Sequence, residues 1–485
     1  MKMPLIRIAG PNLNPAALFW ALFSLLLLPP SHSFAAAEEP VKTTAIPLAR
    51  VSAPWRNPAT ASLGLPSLRN GITRFATDGS IYEGPPQDVK PAIRSGDWIP
   101  EANETFVYFQ RDSDRLNYDL RSDDAGMVFV GKNRKSEFGI YRTSLGRLSK
   151  PWVKPAQAIP HGVGNFGRLQ YPASRGDVVV FLGYGSDEQK GVYRADKNVI
   201  QRIADRTTPM PGTGEPFHDF SYASVAQDGS VVFTGYSKAG SGIFISRNGE
   251  IKTLIDRTVR EPRSSQPYAG ALLAAVEEPW VYFTSFGGTL SIGRVRLDGS
   301  SVETLVHEGS FSDEQGRPLG AINYASVEGE RVLFEGAFEG TAFNLFLWEK
   351  GSVRRLLQRG DSLDGGIVVG ARSGLQSISG DQFVCQVDLQ KPGETGFIRA
   401  VYTGRLSGAA PVPSIAKSSP RSPEGAANWL KLGQGAQPVF AREPTRTNGL
   451  PKATAPAAAP ASNAAPATAI PLTPSPSPKD PTEGK

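Results

Sequence analysis

Few residues in this sequence have the types and spacing that chemistry requires, and the best candidates are a His-Asp pair and a column of tyrosines. The pair, His218-Asp219, stands just before a strand-like piece, in a loop that would reach one face of the fold. The tyrosines recur at intervals of 53, 51 and 102 residues. They are Tyr118, Tyr171, Tyr222 and Tyr324. Since four hydroxyls in one column could contact a shared ligand, these six residues are the predicted binding residues.

A structural role is the alternative for each candidate. The two missing places in the tyrosine column, 273 and 375, are both Leu, which favours apolar packing between repeated units over ligand contact. The His-Asp pair has a surface turn as its alternative. The sequence therefore leaves binding and packing open at these positions.

Metal, nucleophile and disulfide chemistry have little support. The histidines of the mature chain are His161, His218 and His307. None stands at the spacing of zinc ligands. Asp123-Asp124 and Asp112-x-Asp114 lack the full pattern of a calcium loop, and no Gly-x-Ser-x-Gly motif is present. The single Cys385 excludes an internal disulfide. We therefore predict no catalytic residue, no metal site and no cofactor.

The charge distribution argues against nucleic acid as a partner. The chain carries a formal charge of +6, but residues 405–485 hold nine Lys/Arg against four Asp/Glu, and Lys2 and Arg7 lie at the start. The body between them is therefore close to neutral. Phosphate binding needs a clustered positive surface, which a near-neutral body does not offer.

The first residues have the composition of an export signal. Within 1–37, Lys2 and Arg7 precede an apolar run, Ala16–Leu28, and small residues follow at Ala35–Ala37. The run is too short to span a bilayer comfortably. We predict an exported protein, periplasmic or extracellular, with no transmembrane segment in the mature chain. An uncleaved anchor is the alternative.

Two further segments differ from the body in composition. Residues 38–68 contain many Pro, Ala, Ser and Thr, which predicts a linker, and Pro, Ala and Ser dominate 406–485. A segment of that kind buries too little apolar surface to offset its ordering entropy, so 406–485 is predicted to be a disordered tail. One folded domain, 69–405, remains.

This domain is built from a repeated unit. Phenylalanines recur at intervals of 52, 52, 50 and 51 residues, and Cys385 takes the same place 51 residues later. They are Phe129, Phe181, Phe233, Phe283 and Phe334. Each unit contains short strand-like pieces separated by turn signals such as Asp228-Gly229. Four short antiparallel strands in about 51 residues are typical of a propeller blade. We predict an all-β, six-bladed β-propeller.

The ends of the repeat indicate how the ring would close. The sixth copy ends near Tyr402 without a clear fourth strand, and Gly71–Ala76 resembles a fourth strand without a blade. Pairing the two would remove exposed strand edges. We predict 71–76 as the outer strand of the last blade, with an open stack of units as the alternative.

Part of the third copy resembles a known family. The segments that carry the resemblance are Ile203–Asp205, Pro209–Gly214, Phe220–Val225 and Asp228–Phe233. They are similar to the bacterial exported tandem-repeat family with the consensus Asn-x-x-Gly-x-x-Ala-Phe. Gly229, Val232 and Phe233 hold the Gly, Ala and Phe places, whereas Ala226 replaces the Asn. The resemblance, which covers about 70–404, implies a secreted propeller of uncharacterised function and supplies no catalytic residues.

Two functions remain open. The first is a non-catalytic binding or scaffold module for a protein or glycan of the cell envelope. The second is an extracellular glycan hydrolase or lyase at the central channel, where paired carboxylates could cleave a glycosidic bond. The loop acids that could supply such a pair are Glu308, Asp313, Asp361 and Asp364. The scarcity of histidine and the absence of a metal pattern favour the binding module.

Overall fold

The described part of the chain forms a ring of seven β-sheets. The computed structural model describes residues 48–51, 63–77, 79–100, 103–109, 121–196, 199–263, 265–286 and 288–408. The innermost strands of the seven sheets contact one another in cyclic order, and the last contacts the first. The fold is therefore an all-β, seven-bladed propeller, and the prediction of six blades is wrong.

The strands are numbered along the chain. β1 (Leu48–Arg50) belongs to the last blade. Blade 1 contains β2 (Ser67–Arg69), β3 (Ile72–Ala76), β4 (Ser80–Gly84) and β5 (Lys90–Arg94). Blade 2 contains β6 (Trp98–Ile99), β7 (Glu104–Phe109), β8 (Arg121–Asp123), β9 (Gly126–Asn133), β10 (Phe138–Ser144) and β11 (Arg147–Leu148). In blade 2 the innermost position is shared by β7 and β8, which both pair with β9.

Blades 3 to 6 are regular four-stranded antiparallel sheets. Blade 3 contains β12 (Arg168–Arg175), β13 (Val178–Tyr184), β14 (Lys190–Asp196) and β15 (Val199–Asp205). Blade 4 contains β16 (Asp219–Val225), β17 (Val231–Ser237), β18 (Gly240–Arg247) and β19 (Glu250–Ile255). Blade 5 contains β20 (Gly270–Glu277), β21 (Trp280–Phe286), β22 (Ser291–Arg296) and β23 (Val302–His307). Blade 6 contains β24 (Leu319–Glu328), β25 (Arg331–Phe338), β26 (Asn344–Glu349) and β27 (Ser352–Leu357).

Blade 7 is assembled from both ends of the described chain. It contains β28 (Ser362–Leu363), β29 (Gly366–Arg372), β30 (Ile378–Ser379), β31 (Gln382–Gln390) and β32 (Phe397–Arg405), and a short 3-10 helix, Leu406–Gly408, follows. The outermost strand of this blade is β1, which pairs antiparallel with β32.

The aromatic column lies on the second strand of each blade and is buried. Phe129, Phe181 and Phe233 are three of its members, and each packs with aromatic rings of the same blade. Phe75 of blade 1 holds the same place, is fully buried, and precedes Phe129 by 54 residues. This seventh member shows that the repeat begins one unit earlier than predicted.

An N-terminal strand does complete the last blade, but it is not the predicted one. Residues 72–76 form β3, the second strand of blade 1, rather than the outer strand of the last blade. The outer strand is Leu48–Arg50, within the segment interpreted as a linker. The linker composition concealed both this strand and β2, because strands of three residues leave almost no period-two pattern to detect.

Val51 joins the two ends of the ring, and its truncation tests the closure. Its backbone N–H donates to the Val401 carbonyl at 2.9 Å, and its side chain packs with Phe75 and Tyr82 of blade 1. We expect Val51→Ala to lower the free energy of unfolding by about 2 kcal/mol, since two buried carbons are lost and a cavity remains. Urea denaturation of the full chain measures this. Arg50→Ala, at the preceding and exposed residue, is the control, and equal effects of the two variants would contradict the closure.

No helix among the described residues is long and apolar enough to cross a membrane. The predicted export signal, 1–37, lies outside the described residues, as does the predicted tail apart from Leu406–Gly408.

Candidate functional site

The middle of the central channel is occupied by side chains. Tyr171 and Tyr222 lie at bulges of β12 and β16, with positive φ angles of 48° and 31°. A bulge re-aims a side chain, and here the two rings meet with their centroids 4.9 Å apart. Arg121 of blade 2 reaches across to the Ala223 carbonyl of blade 4 at 2.9 Å, and its guanidinium lies 5.7 Å from the Tyr222 ring centroid.

A short segment of blade 7 crosses the same region. The axial segment, Ser373–Ser377, connects β29 to β30. Leu375 belongs to one hydrophobic cluster with Tyr171 and Tyr222, which are in blades 3 and 4. The Gln376 carbonyl accepts from the Leu68 backbone N–H of blade 1 at 2.6 Å. The axial segment therefore contacts the inner strands of blades 1, 3 and 4.

Tyr171 and Tyr222 therefore lie in a packed layer in the middle of the ring. Tyr171 and Tyr222 are 8% and 6% exposed. Leu273, in the same column, is also buried in this cluster. Tyr118 lies outside the described residues, and the side chain of Tyr324, on β24, is also outside them. The described tyrosines are thus placed for packing between blades.

His218 and Asp219 lie at one end of the channel, where the loop from blade 3 leads into the inner strand of blade 4. We call this end of the channel the loop mouth, defined by the start of β16 at Asp219. The Asp219 carboxylate accepts from Lys190 and from the Phe220 backbone N–H. The Lys190 ammonium lies 4.8 Å from the Tyr184 ring centroid. The structure does not bring His218 and Asp219 together with the tyrosine pair into one pocket.

The opposite end of the channel carries a ring of polar residues, which sequence reasoning missed. We call it the hairpin mouth, because the turns between the first and second strands of the blades surround it. One residue from each blade contributes, six places before the aromatic column: Arg69, Asp123, Arg175, Gln227, Glu277, Glu328 and Ser379. Six of them end an inner strand. Five of the seven are charged, with both signs present.

Most charges at the hairpin mouth are already paired. Arg69 Nε donates to Asp124 Oδ1 at 2.8 Å, which lowers the pKa of that carboxyl. Arg175 lies 2.9 Å from Glu278 Oε1. Exposed pairs of this kind contribute little to stability.

Two further carboxylates of the hairpin mouth are also held by neighbours. The Glu328 carboxylate accepts from Arg331 at 2.6 Å and from the Gly380 backbone N–H at 2.8 Å. Asp123 accepts from Arg142 at 2.9 Å and from Ser174 at 2.8 Å. These contacts fix the carboxylates in the wall of the mouth, so that a ligand would meet preoriented groups.

Glu277 differs from the other charged members. It is half-buried at the end of β20, and no hydrogen bond or ion pair of its carboxylate is found within the described part of the chain. Burial raises its pKa. Arg69 and Arg175 oppose that rise, whereas Glu328 and Asp124 add to it. Because these four neighbours come from four other blades, the Glu277 carboxylate faces the shared mouth.

A cavity of about 550 Å³ adjoins the hairpin mouth between blades 6, 7 and 1. The residues that line it are Asn70, Gly71, Glu328, Ser379, Gly380, Asp381, Gln382 and Arg405. Two of them, Glu328 and Ser379, are members of the ring. The Arg405 guanidinium forms no ion pair within the described residues. The cavity extends the polar surface outward and offers an amide, a hydroxyl and a cation to a ligand.

The loop acids of the second hypothesis mostly support local structure. Asp313 accepts from the Gln315 and Arg317 backbone N–H groups and pairs with the Arg317 side chain. Asp364 accepts from the Tyr402 hydroxyl at 2.8 Å. No group of three or more potential metal ligands occurs in the described ranges.

A signal for the ring was present in the sequence. Counting back six residues from each member of the aromatic column gives the ring positions, but their residue types vary between Arg, Asp, Gln, Glu and Ser. A search by residue type does not find a column whose chemistry changes from blade to blade. A search by position within the repeat does.

The fold is a propeller, and the hairpin mouth is a polar end of its channel. Comparison with known families assigns no function to this site. A family of unknown function, DUF7453, matches residues 56–242. This match covers less than half of the chain. The resemblance to the Asn-x-x-Gly-x-x-Ala-Phe family stays a prediction. No curated protein matches the sequence.

Solved structures with some similarity include a β-propeller domain and two peptidases. The β-propeller domain of the Trilobed protease from Pyrococcus furiosus is 12% identical, with a TM-score of 0.43, and the match covers 71% of this chain and 95% of that domain. Prolyl oligopeptidase B from Galerina marginata is 10% identical, with a TM-score of 0.42 and coverage of 71% and 51%. An acylaminoacyl peptidase is 12% identical, with a TM-score of 0.42 and coverage of 70% and 52%. The chain thus spans about half the length of both peptidases. At this level of similarity, these structures do not indicate an activity for this protein.

Proposed function

We propose that this protein is an exported, non-catalytic propeller that binds a protein partner of the cell envelope through the hairpin mouth. The observation that supports this is the ring itself, because five charged side chains of both signs converge from separate blades on one channel end. Mixed charges that are preoriented by neighbours suit a protein surface, where complementary charges fix register and specificity. A neutral glycan offers no charge to these groups.

Two features support the binding role over catalysis at the channel. The axial segment packs with Tyr171 and Tyr222 in the middle of the ring, which leaves the two ends of the channel as the surfaces that a ligand would contact. The loop acids with local hydrogen-bond roles, Asp313 and Asp364, are held by their own blades. Export and the envelope location rest on the N-terminal leader pattern.

Charge reversal at the hairpin mouth tests the proposal. The full chain, Arg175→Glu and Arg206→Glu are each used to capture proteins from an envelope extract. Arg175 and Arg206 are matched, because both side chains are 38% exposed and each pairs with a glutamate. We expect a protein captured by the parent chain to be captured equally by Arg206→Glu and at least tenfold less by Arg175→Glu, since each tenfold loss corresponds to about 1.4 kcal/mol of binding free energy.

Other outcomes would contradict the proposal in distinct ways. Equal capture by both variants would move the binding surface away from the hairpin mouth. Retention of a neutral glycan on an array, without protein capture, would identify a glycan ligand. Turnover of that glycan would favour the hydrolase or lyase instead.

A further inference from the structure

Glu277 differs from the other charged residues of the hairpin mouth, because its carboxylate has no hydrogen bond or ion pair within the described part of the chain. Glu278, the next residue, is paired with Arg175 at 2.9 Å and also accepts from the Gln227 backbone N–H. The Glu277 carboxylate has no hydrogen bond or ion pair in the described ranges, although it is half-buried. Because its oxygens are not among the buried polar atoms that lack a partner, this carboxylate reaches solvent and is open to a ligand at the mouth.

The arginines of the mouth do not pair with this carboxylate. Arg69 is engaged with Asp124 at 2.8 Å, and Arg175 is engaged with Glu278. Both influence the Glu277 carboxylate only at longer range, and Glu328 and Asp124 counteract them. Within the described residues, the arginines of the mouth are therefore paired, whereas the Glu277 carboxylate is open to a cation.

On the basis of the proposed function, we propose that Glu277 is the anchor for a cationic side chain of the partner, the ammonium of a lysine or the guanidinium of an arginine. The cation would enter the hairpin mouth along the axis and form a charge-assisted hydrogen bond with the carboxylate. Glu328, fixed by Arg331 and Gly380, lies in the next blade and adds negative potential at the same place. The partner thus presents a basic residue at the tip of a loop or at a chain end.

The pH dependence of binding follows from the same contact. Burial raises the pKa of Glu277 in the unliganded protein. A bound cation favours the ionised form and lowers that pKa, so binding releases a proton where the carboxyl is still protonated. Affinity for a lysine peptide should therefore fall as the pH is lowered through the pKa of Glu277. The charged groups that face this carboxyl are Arg69, Arg175, Glu328 and Asp124.

The test measures the binding of labelled peptides to the full chain by fluorescence anisotropy. The probes are capped Gly-Lys-Gly-Lys-Gly, its arginine version and its glutamate version. The proteins are the parent chain, Glu277→Gln and the control Glu250→Gln, which removes the same charge from the exposed edge strand β19. We expect Glu277→Gln to weaken binding of the basic peptides by tenfold to a hundredfold, since a charged hydrogen bond contributes about 1.5–3 kcal/mol.

The remaining expectations separate the anchor from the proposed function. Glu250→Gln should bind like the parent chain, Glu277→Asp should retain part of the affinity, and the pH dependence should vanish in Glu277→Gln. Equal binding of basic and acidic peptides, or undiminished binding by Glu277→Gln, would overturn the anchor. If the Arg175-dependent protein partner is captured equally by Glu277→Gln, the proposed function stands and the anchor fails. If the basic peptides bind through Glu277 but no protein is captured, the anchor stands and the proposed function fails.

Discussion

Replacing Arg74 by methionine is expected to lower the free energy of unfolding by about 3–5 kcal/mol, because a buried carboxylate loses its charged partner. Arg74 on β3 donates through Nε to Glu83 Oε1 on β4 at 2.7 Å, and the two side chains are 6% and 0% exposed. Glu83 Oε2 also accepts from the Gly146 backbone N–H of blade 2 at 3.2 Å. The pair thus connects two strands of blade 1 and fixes a turn of the next blade.

Urea denaturation of the full chain measures this effect, and the double variant is its control. Arg74→Met with Glu83→Gln removes the uncompensated charge, so we expect it to recover a large part of the loss. A buried pair replaced on both sides is often neutral, whereas breaking one side is costly. If the single and double variants unfolded at the same urea concentration, the cost would come from packing and not from the orphaned carboxylate.

Replacing Glu335 by glutamine is expected to change how stability depends on pH. Glu335 on β25 is 3% exposed, and burial raises the pKa of its carboxyl from 4.5 to about 7. The Ser373 backbone N–H donates to Oε1 at 2.8 Å, and Arg372 and Asn323 also favour the ionised form. These groups only partly offset the cost of burying the charge.

The sign follows from the direction of this shift. The pKa is higher in the folded than in the unfolded chain, so the neutral carboxyl stabilises the fold below about pH 4.5, and this contribution is lost as the pH rises to about 7. The shift corresponds to roughly 3 kcal/mol. Relative to the parent chain, Glu335→Gln should therefore gain about that much stability between pH 5 and pH 8. Unfolding free energies at both pH values measure it. The exposed Glu250→Gln is the control, and parallel pH curves for parent and Glu335→Gln would refute the assignment.

The sequence allowed the architecture to be predicted only as far as its period was regular. The interval between members of the aromatic column is 50–52 residues from Phe129 onward but 54 between Phe75 and Phe129. The inner strands on either side of that interval are also irregular, since β2 has three residues and blade 2 has two strands, β7 and β8, that both pair with β9. The class of fold was therefore predictable, whereas the first blade was not, because local pattern reports strands of six or seven residues far better than strands of three.

The candidate site was less accessible to prediction for a different physical reason. Tyr171 and Tyr222 were located on inner strands by their spacing, but the bulges that turn their rings together depend on backbone angles that the pattern does not contain. The hairpin mouth depends on ring closure, which brings Arg69, Glu277 and Glu328 together from positions more than 200 residues apart at its extremes. A tally of residue types along one strand cannot show such convergence.

The closure of blade 7 also sets the order in which the ring can form. β1 is synthesised before the other described strands, and its partner β32 follows about 350 residues later, with Leu48 opposite Gly404. Closing so long a loop has an entropic cost, and among the described residues the three paired residues of β1 and the backbone hydrogen bond of Val51 offset it. The other blades pair neighbouring strands and can assemble as the chain lengthens. We therefore expect the pairing of β1 with β32 to form late in folding and to open more readily than the strand pairs of the other blades.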